Sequence, residues 1–167
     1  MNLHEFKRGW TGGGMETLCG HGSKVSQTKI QREWIPAMVE KHNIRTIADI
    51  GAGDLNWMNH VVWPYPVEYQ AFDLVPRHKS VKAFDLIHEI PPKADLIMCL
   101  WLLNHLPEEN ARAAIKNLWA SGCKYLMYTW WNDLADYQDL GSLESTVMRS
   151  AYKGKRKIDY ELRLLKC

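Results

Sequence analysis

Apolar positions run along this chain in two rhythms. From Ser26 onward, Ile30, Trp34, Ile35, Met38 and Val39 recur at three- and four-residue spacing, which predicts a helix with one apolar face. Short apolar runs over residues 45–50, 67–72 and 94–100 predict strands, the last apolar enough for a central parallel strand. Residues 81–84 form a shorter candidate strand. Residues 55–62 predict a short helix, stopped by Pro64 and Pro66. Pro107-Glu108-Glu109 marks another helix start, with Ala111, Ala114, Ile115, Leu118 and Trp119 as its inward face and Ser121-Gly122 as its end. Residues 124–131 read as an aromatic-rich fifth strand. Residues 132–139 read as a turn or short helix, and 143–152 as strand or helix. Residues 158–165 read as a final strand behind the basic turn Lys153-Gly154-Lys155-Arg156-Lys157; with strands on both flanks, that turn joins an antiparallel hairpin.

This alternation predicts an α/β fold: a Rossmann-like, open, mostly parallel sheet with helices on both faces and a C-terminal antiparallel hairpin. One connection strains it. Only about eight residues separate Asp73 from Val81, whereas a parallel crossover usually takes a dozen or more. Either the helix between them is reduced to a loop, or the third strand lies elsewhere.

Composition narrows the field. The chain has 167 residues, 46% hydrophobic and 24% charged, enough for one domain with a full core. A net charge of +2 makes no global demand for nucleic acid. Cys19, Cys99, Cys123 and Cys167 form no C-x-x-C pair and read as reduced thiols, which fits a cytoplasmic protein. The seven histidines lack zinc-site spacing, so no metal is expected. Residues 1–10 are too polar for a signal peptide, and no apolar run approaches the ~20 residues of a membrane span. Residues 9–23 are glycine-rich and read either as a tail or as a lid over a ligand. The expected organisation is a loop or lid over 1–25 and a single domain over 26–167.

Chemistry in an open α/β sheet collects beyond the carboxyl ends of its strands. Strand one ends in Asp49-x-Gly51-x-Gly53, a turn that lets backbone approach a nucleotide-like ligand but lacks the third glycine of a dinucleotide fingerprint. Asp73 ends strand two, 24 residues after Asp49, where a carboxylate can accept from both hydroxyls of a ribose. Asp85 ends strand three and can accept from an adenine amino group, with the Leu86 N–H serving a ring nitrogen. Helix capping or a solvated loop would explain any one of these acids; three at successive strand ends narrow the ligand to an adenosine cofactor.

The segments IADIGAGDLNWM, YQAFDLVP, AFDL and ADLIMCLWLLNHLPEENARAAIKNLWASGCKYLMYTWW, within residues 44–131, resemble the class I S-adenosylmethionine-dependent methyltransferases. Trp10, Gly12 to Gly14 and Gly20-His21-Gly22-Ser23 also look like a group of small methyltransferases, often of viral or uncharacterised origin. The resemblance implies S-adenosyl-L-methionine as cofactor. Asp49, Gly51 and Gly53 would line its methionine part, Asp73 its ribose, Leu74 its adenine ring and Asp85 the adenine amino group. Leu100 and Trp101 would lie under the sulfonium, which a ring face attracts; plain core packing is the alternative for Trp101. His105 and Trp131 are the candidate catalytic residues. His21, Glu16 and Asp133 are further possible bases, and backbone hydrogen bonding at a helix start is the alternative for His105. Neither an N/D-P-P-Y/F/W element nor Pro-Cys follows strand four, which argues against DNA amino-methylation and cytosine C5 methylation. Three functions stay open: methyl transfer to a small molecule or an exposed group, cofactor binding or depletion without transfer, and nucleic-acid modification through the basic turn.

Overall fold

The computed structural model describes Gly14 and residues 16–131, 138–153 and 156–167. Seven strands form one sheet: β1 (Thr46–Ile50), β2 (Glu68–Asp73), β3 (Val81–Ala83), β4 (Leu96–Cys99), β5 (Tyr125–Trp131), β6 (Glu144–Lys153) and β7 (Arg156–Lys166). Their order is β3-β2-β1-β4-β5-β7-β6. The first five strands pair in parallel. β7 runs antiparallel to both β5 and β6, so it alone opposes the other six. The expected open, mostly parallel sheet with a terminal hairpin is what forms.

Two helices cover the two faces, and strand alternation decides which residues each covers. Helix α1 (Lys29–Lys41) buries Ile35, Met38 and Val39 against Ile47, Ala71, Leu96, Met98, Met127, Leu162 and Leu164. Helix α2 (Glu108–Ala120) buries Ala114 and Leu118 against the opposite set, Ala48, Phe72, Ile97, Cys99 and Leu126. Neighbours such as Ile47 and Ala48, or Leu126 and Met127, thus feed opposite cores. All four residues of β4 are buried, as its central place requires. At the opposite end of the sheet from the strand carboxyl ends, Asp95 accepts from the Arg45 and Thr46 N–H groups and pairs with Lys124, holding β1, β4 and β5 in step.

Three expectations need correction or resolution. Residues 55–62 form no α-helix. Leu55 takes φ +59°, and only a 3-10 turn at Met58–His60 comes after it. The apolar spacing there is genuine, since Leu55 and Met58 are buried, but turns deliver those side chains. With Pro64 and Pro66 close behind, the segment is too short to offset the cost of nucleating a helix. The β2–β3 connection is a loop without a helix, and Val81 pairs with Ala71 in parallel register. Trp119 is 43% exposed rather than inward, because its ring lies at the margin of the α2 stripe in the last turn. Trp10, residues 132–137 with Asp133, and the basic turn at Gly154-Lys155 lie outside the described residues. Among the described residues no helix is long and apolar enough to cross a membrane.

Candidate functional site

A cavity of about 790 Å³ lies beyond the carboxyl ends of β1 to β5. β1 contributes Asp49 and the loop after it Gly51 and Ala52, while β2 contributes its last residue, Asp73, and the loop after it Leu74 and Arg77. Asp85 and Leu86 come from the loop after β3. Leu100, Trp101, Asn104 and His105 come from the loop after β4. Trp131 closes one side with Tyr160 of β7, and Cys19 to Ser23 form a further wall. Among the described residues, the candidate cofactor-binding and catalytic residues and His21 therefore converge on one cavity, and two candidates lie outside its lining: Gly53 and the possible base Glu16.

Gly53 acts one step behind it. Its N–H donates to Asp73 Oδ2 at 2.9 Å, while the Val75 N–H donates to Oδ1 at 2.9 Å. The carboxylate is thereby fixed by two backbone donors, and each oxygen keeps a lone pair for another donor. Gly53 has φ +63°, and a Cβ there would lie 2.5 Å from Cys19 Sγ. Glycine is needed both for the turn and for the N-terminal segment to pack on it. Gly51, at φ +86°, and Ala52 both donate N–H to the Phe72 carbonyl, which ties the turn to the end of β2.

Asp49 is only 5% exposed and accepts a hydrogen bond from the Tyr69 hydroxyl at 2.5 Å. Burial pushes its carboxyl up to about 7; the Tyr69 hydrogen bond opposes that shift and the Asp73 charge adds to it. No motif singles out Tyr69. Its place follows from alternation, since it lies on the same face as Ala71, the register partner of Asp49. Asp85 serves its own turn: Oδ1 accepts from the Ile87 N–H, and Oδ2 pairs with His88. His105 sits in a 3-10 turn at Leu103–His105, and burial lowers its pKa, favouring the neutral imidazole.

Trp101, like Leu55, is a bulky residue held in the left-handed region. It holds φ +56°, a conformation that costs a bulky residue roughly 1–3 kcal/mol. Its N–H donates to the buried Thr129 hydroxyl, which pins it there. The two adjacent tryptophans of β5 diverge as strand alternation requires. Trp131 lines the cavity, while Trp130 lies under the Arg163 guanidinium, 3.6 Å from ring centroid to Cζ.

The N-terminal wall is tied down by Asp54. Its Oδ2 accepts from the Thr17 hydroxyl at 2.7 Å and the Leu18 N–H at 2.8 Å, and its Oδ1 from the Asn56 N–H at 3.2 Å. Asn56 Nδ2 in turn donates to Glu16 Oε1 and to the Ser23 carbonyl, both at 3.0 Å. Glu16, one of the possible bases, is thus engaged in holding the segment.

No protein-family model and no curated protein sequence matches the chain. Solved structures do. The N-methyltransferase NodS from Bradyrhizobium japonicum WM9, in complex with S-adenosylhomocysteine, is similar at TM-score 0.52 and 15% identity, over 80% of this chain and 85% of that one. The methyltransferase domain of bacterial CtHen1-C is similar at TM-score 0.51 and 13% identity, over 84% and 98%. The fold is that of the class I methyltransferases. Magnesium protoporphyrin IX methyltransferase from Synechocystis PCC 6803, with bound S-adenosylmethionine, is similar at TM-score 0.50 and 16% identity, over 83% and 80%. At these identities the likeness is one of fold, and residue roles must come from the geometry of the cavity.

Proposed function

We propose that the cavity binds S-adenosyl-L-methionine and that the protein transfers its methyl group to a small molecule or to an exposed group of a larger one. The observation that carries this reading is Asp73, a carboxylate aimed by two backbone N–H groups at the end of β2 in a methyltransferase fold. Its spare acceptor capacity suits two vicinal hydroxyls. Solved neighbours with the cofactor or its demethylated product bound support the same ligand.

On this reading Asp49 faces the ammonium of the methionine part, and Gly51 allows close backbone approach. Leu74 packs on the adenine and the Leu86 N–H meets its ring edge. Asp85 meets the amino group only with lone pairs left over by its turn. Leu100 and Trp101 form the wall beneath the sulfonium. The cofactor supplies an activated methyl group, and its transfer is a direct displacement governed by alignment and exclusion of water. The residues at 20–23 exclude water from one side, acting as the lid of the site. Neutral His105 can take a proton from an acceptor. The narrower likeness to the small methyltransferase group is part of the same proposal, and its Gly20-His21-Gly22-Ser23 element lies on that wall.

Isothermal titration with S-adenosylmethionine tests this directly. Asp73→Ala removes two charge-assisted acceptors, each worth about 1.5–3 kcal/mol, so affinity should fall at least a hundredfold. The strand pattern in circular dichroism should persist. Unchanged affinity would rule out the assigned orientation, and no binding by the unaltered chain would rule out the cofactor.

A further inference from the structure

Three aromatic side chains from separate elements meet on one wall of the cavity. Trp101 follows β4, Trp131 ends β5, and Tyr160 lies opposite Trp131 in the β5–β7 register. Ring centroids are 5.8 Å apart for Trp101 and Trp131, 6.0 Å for Trp101 and Tyr160, and 5.3 Å for Trp131 and Tyr160. The rings are tilted by 32°, 38° and 42°. All three are half-buried, so each keeps surface toward the cavity. Trp101 enters this cluster from a left-handed backbone, and strain of that kind concentrates where a ligand is held.

The cavity is also polarised along the sheet. Among the described lining residues, its carboxylates, Asp49, Asp73 and Asp85, come from the ends of β1, β2 and β3. The aromatic wall comes from the far side, β4, β5 and β7. A nucleoside with an ammonium tail suits the first half, and an uncharged partner suits the second.

We propose that this wall is the acceptor subsite and that it takes a flat aromatic ring, stacked against Trp131 and Tyr160. The inference rests on the methyltransferase reading and names the substrate class for it. A quaternary ammonium fits less well. A cage turns its ring faces steeply toward one another around the charge, whereas these rings are inclined by only 32° to 42°. They present one continuous face rather than a cage, which is what an extended π system meets best. A flat ring can come from a free small molecule or from an unstacked nucleobase.

The test uses the full chain loaded with S-adenosylhomocysteine and saturation-transfer NMR. The probes are indole, quinoline, decahydroquinoline, choline and a short single-stranded oligonucleotide. Indole and quinoline should bind at least tenfold more tightly than decahydroquinoline or choline. Trp131→Ala should lose tenfold or more of that affinity and Trp131→Phe should retain most of it, with S-adenosylhomocysteine affinity by calorimetry within twofold in both. Oligonucleotide binding that exceeds the free rings, needs Trp131 and falls steeply with salt assigns the ring to a nucleobase; tighter free rings assign it to a small molecule. Equal binding of decahydroquinoline or choline, indifference to Trp131→Ala, or no ring binding would overturn the proposal. If S-adenosylhomocysteine itself fails to bind, the cofactor reading falls separately, and the same probes are titrated on the free protein with the same criteria.

Discussion

Asp49 is held between two demands. It sits among apolar side chains, where ionisation is costly, yet in the proposed site it faces an ammonium. Burial pushes its pKa up to about 7, well above the ~3.9 of a free aspartate. The folded state therefore binds a proton that the unfolded state has already released. The resulting stability is fully present below about pH 4 and is lost as pH rises through about 7. Asp49→Asn, which never ionises, should match the parent at pH 4 and exceed it at pH 8 in urea midpoint. A gap that stays constant with pH would show that folding leaves the Asp49 pKa unshifted. The same reasoning gives cofactor binding a sign: an ammonium beside Asp49 draws its pKa down, so association near pH 6.5 releases protons, readable as a buffer-dependent calorimetric heat. Tyr69 limits the shift by donating to the carboxylate, a role invisible to motif reading because it depends on two strands lying in register.

The loop Gly53 to Asn56 illustrates at the scale of elements what the sequence could and could not reveal. Glycine spacing correctly locates a turn, but the apolar pattern beyond it predicts a helix that does not form. A left-handed Leu55 and a 3-10 turn take its place, so the binding face of this loop is made by turn geometry and not by a helix N-terminus. The strands were legible because burial on both faces writes an apolar run directly into the chain, as in β4. Cross-chain ties leave no such trace. Nothing local marks Asp54 as the anchor of residues 16–23, because its partners Thr17 and Leu18 lie 37 and 36 positions away. Tyr160 was partly legible: Ile158, Tyr160, Leu162 and Leu164 share one face of β7, yet only the register with Trp131 brings its ring to the cavity. Asp54→Ala should release the anchor. The loss of hydrogen bonds to a charged acceptor, about 1.5–3 kcal/mol apiece, predicts at least tenfold faster amide exchange at Leu18. Exchange in β4 should be unaffected. Protection at Leu18 that survives the substitution would mean that side-chain packing, such as Cys19 over Gly53, holds the segment instead.

Across the whole molecule, the C-terminal hairpin is the part whose standing matters most to function, since it carries one ring of the aromatic wall. A hairpin at a sheet margin could be an appendage. The core argues otherwise: Leu162 and Leu164 are fully buried in the same cluster as Ile35 and Val39 of α1, together with Ile47, Leu96 and Met127. Helix α1 thus packs over a surface that β7 helps to make, and His42, just past its end, pairs with Glu144 of β6. Removing buried methylenes at such a position costs a transfer contribution plus a cavity contribution. Leu162→Ala should therefore destabilise the entire domain by about 2–5 kcal/mol in urea unfolding, in one cooperative transition. Val147→Ala, on the exposed face of β6, should stay within about 0.5 kcal/mol. If Leu162→Ala instead produced a separate early transition, the hairpin would fold on its own account. Tyr160 would then be a movable wall of the cavity. A single transition ties its position to the packing of β1, β4 and β5, and so fixes the aromatic face relative to the carboxylates across the same cavity.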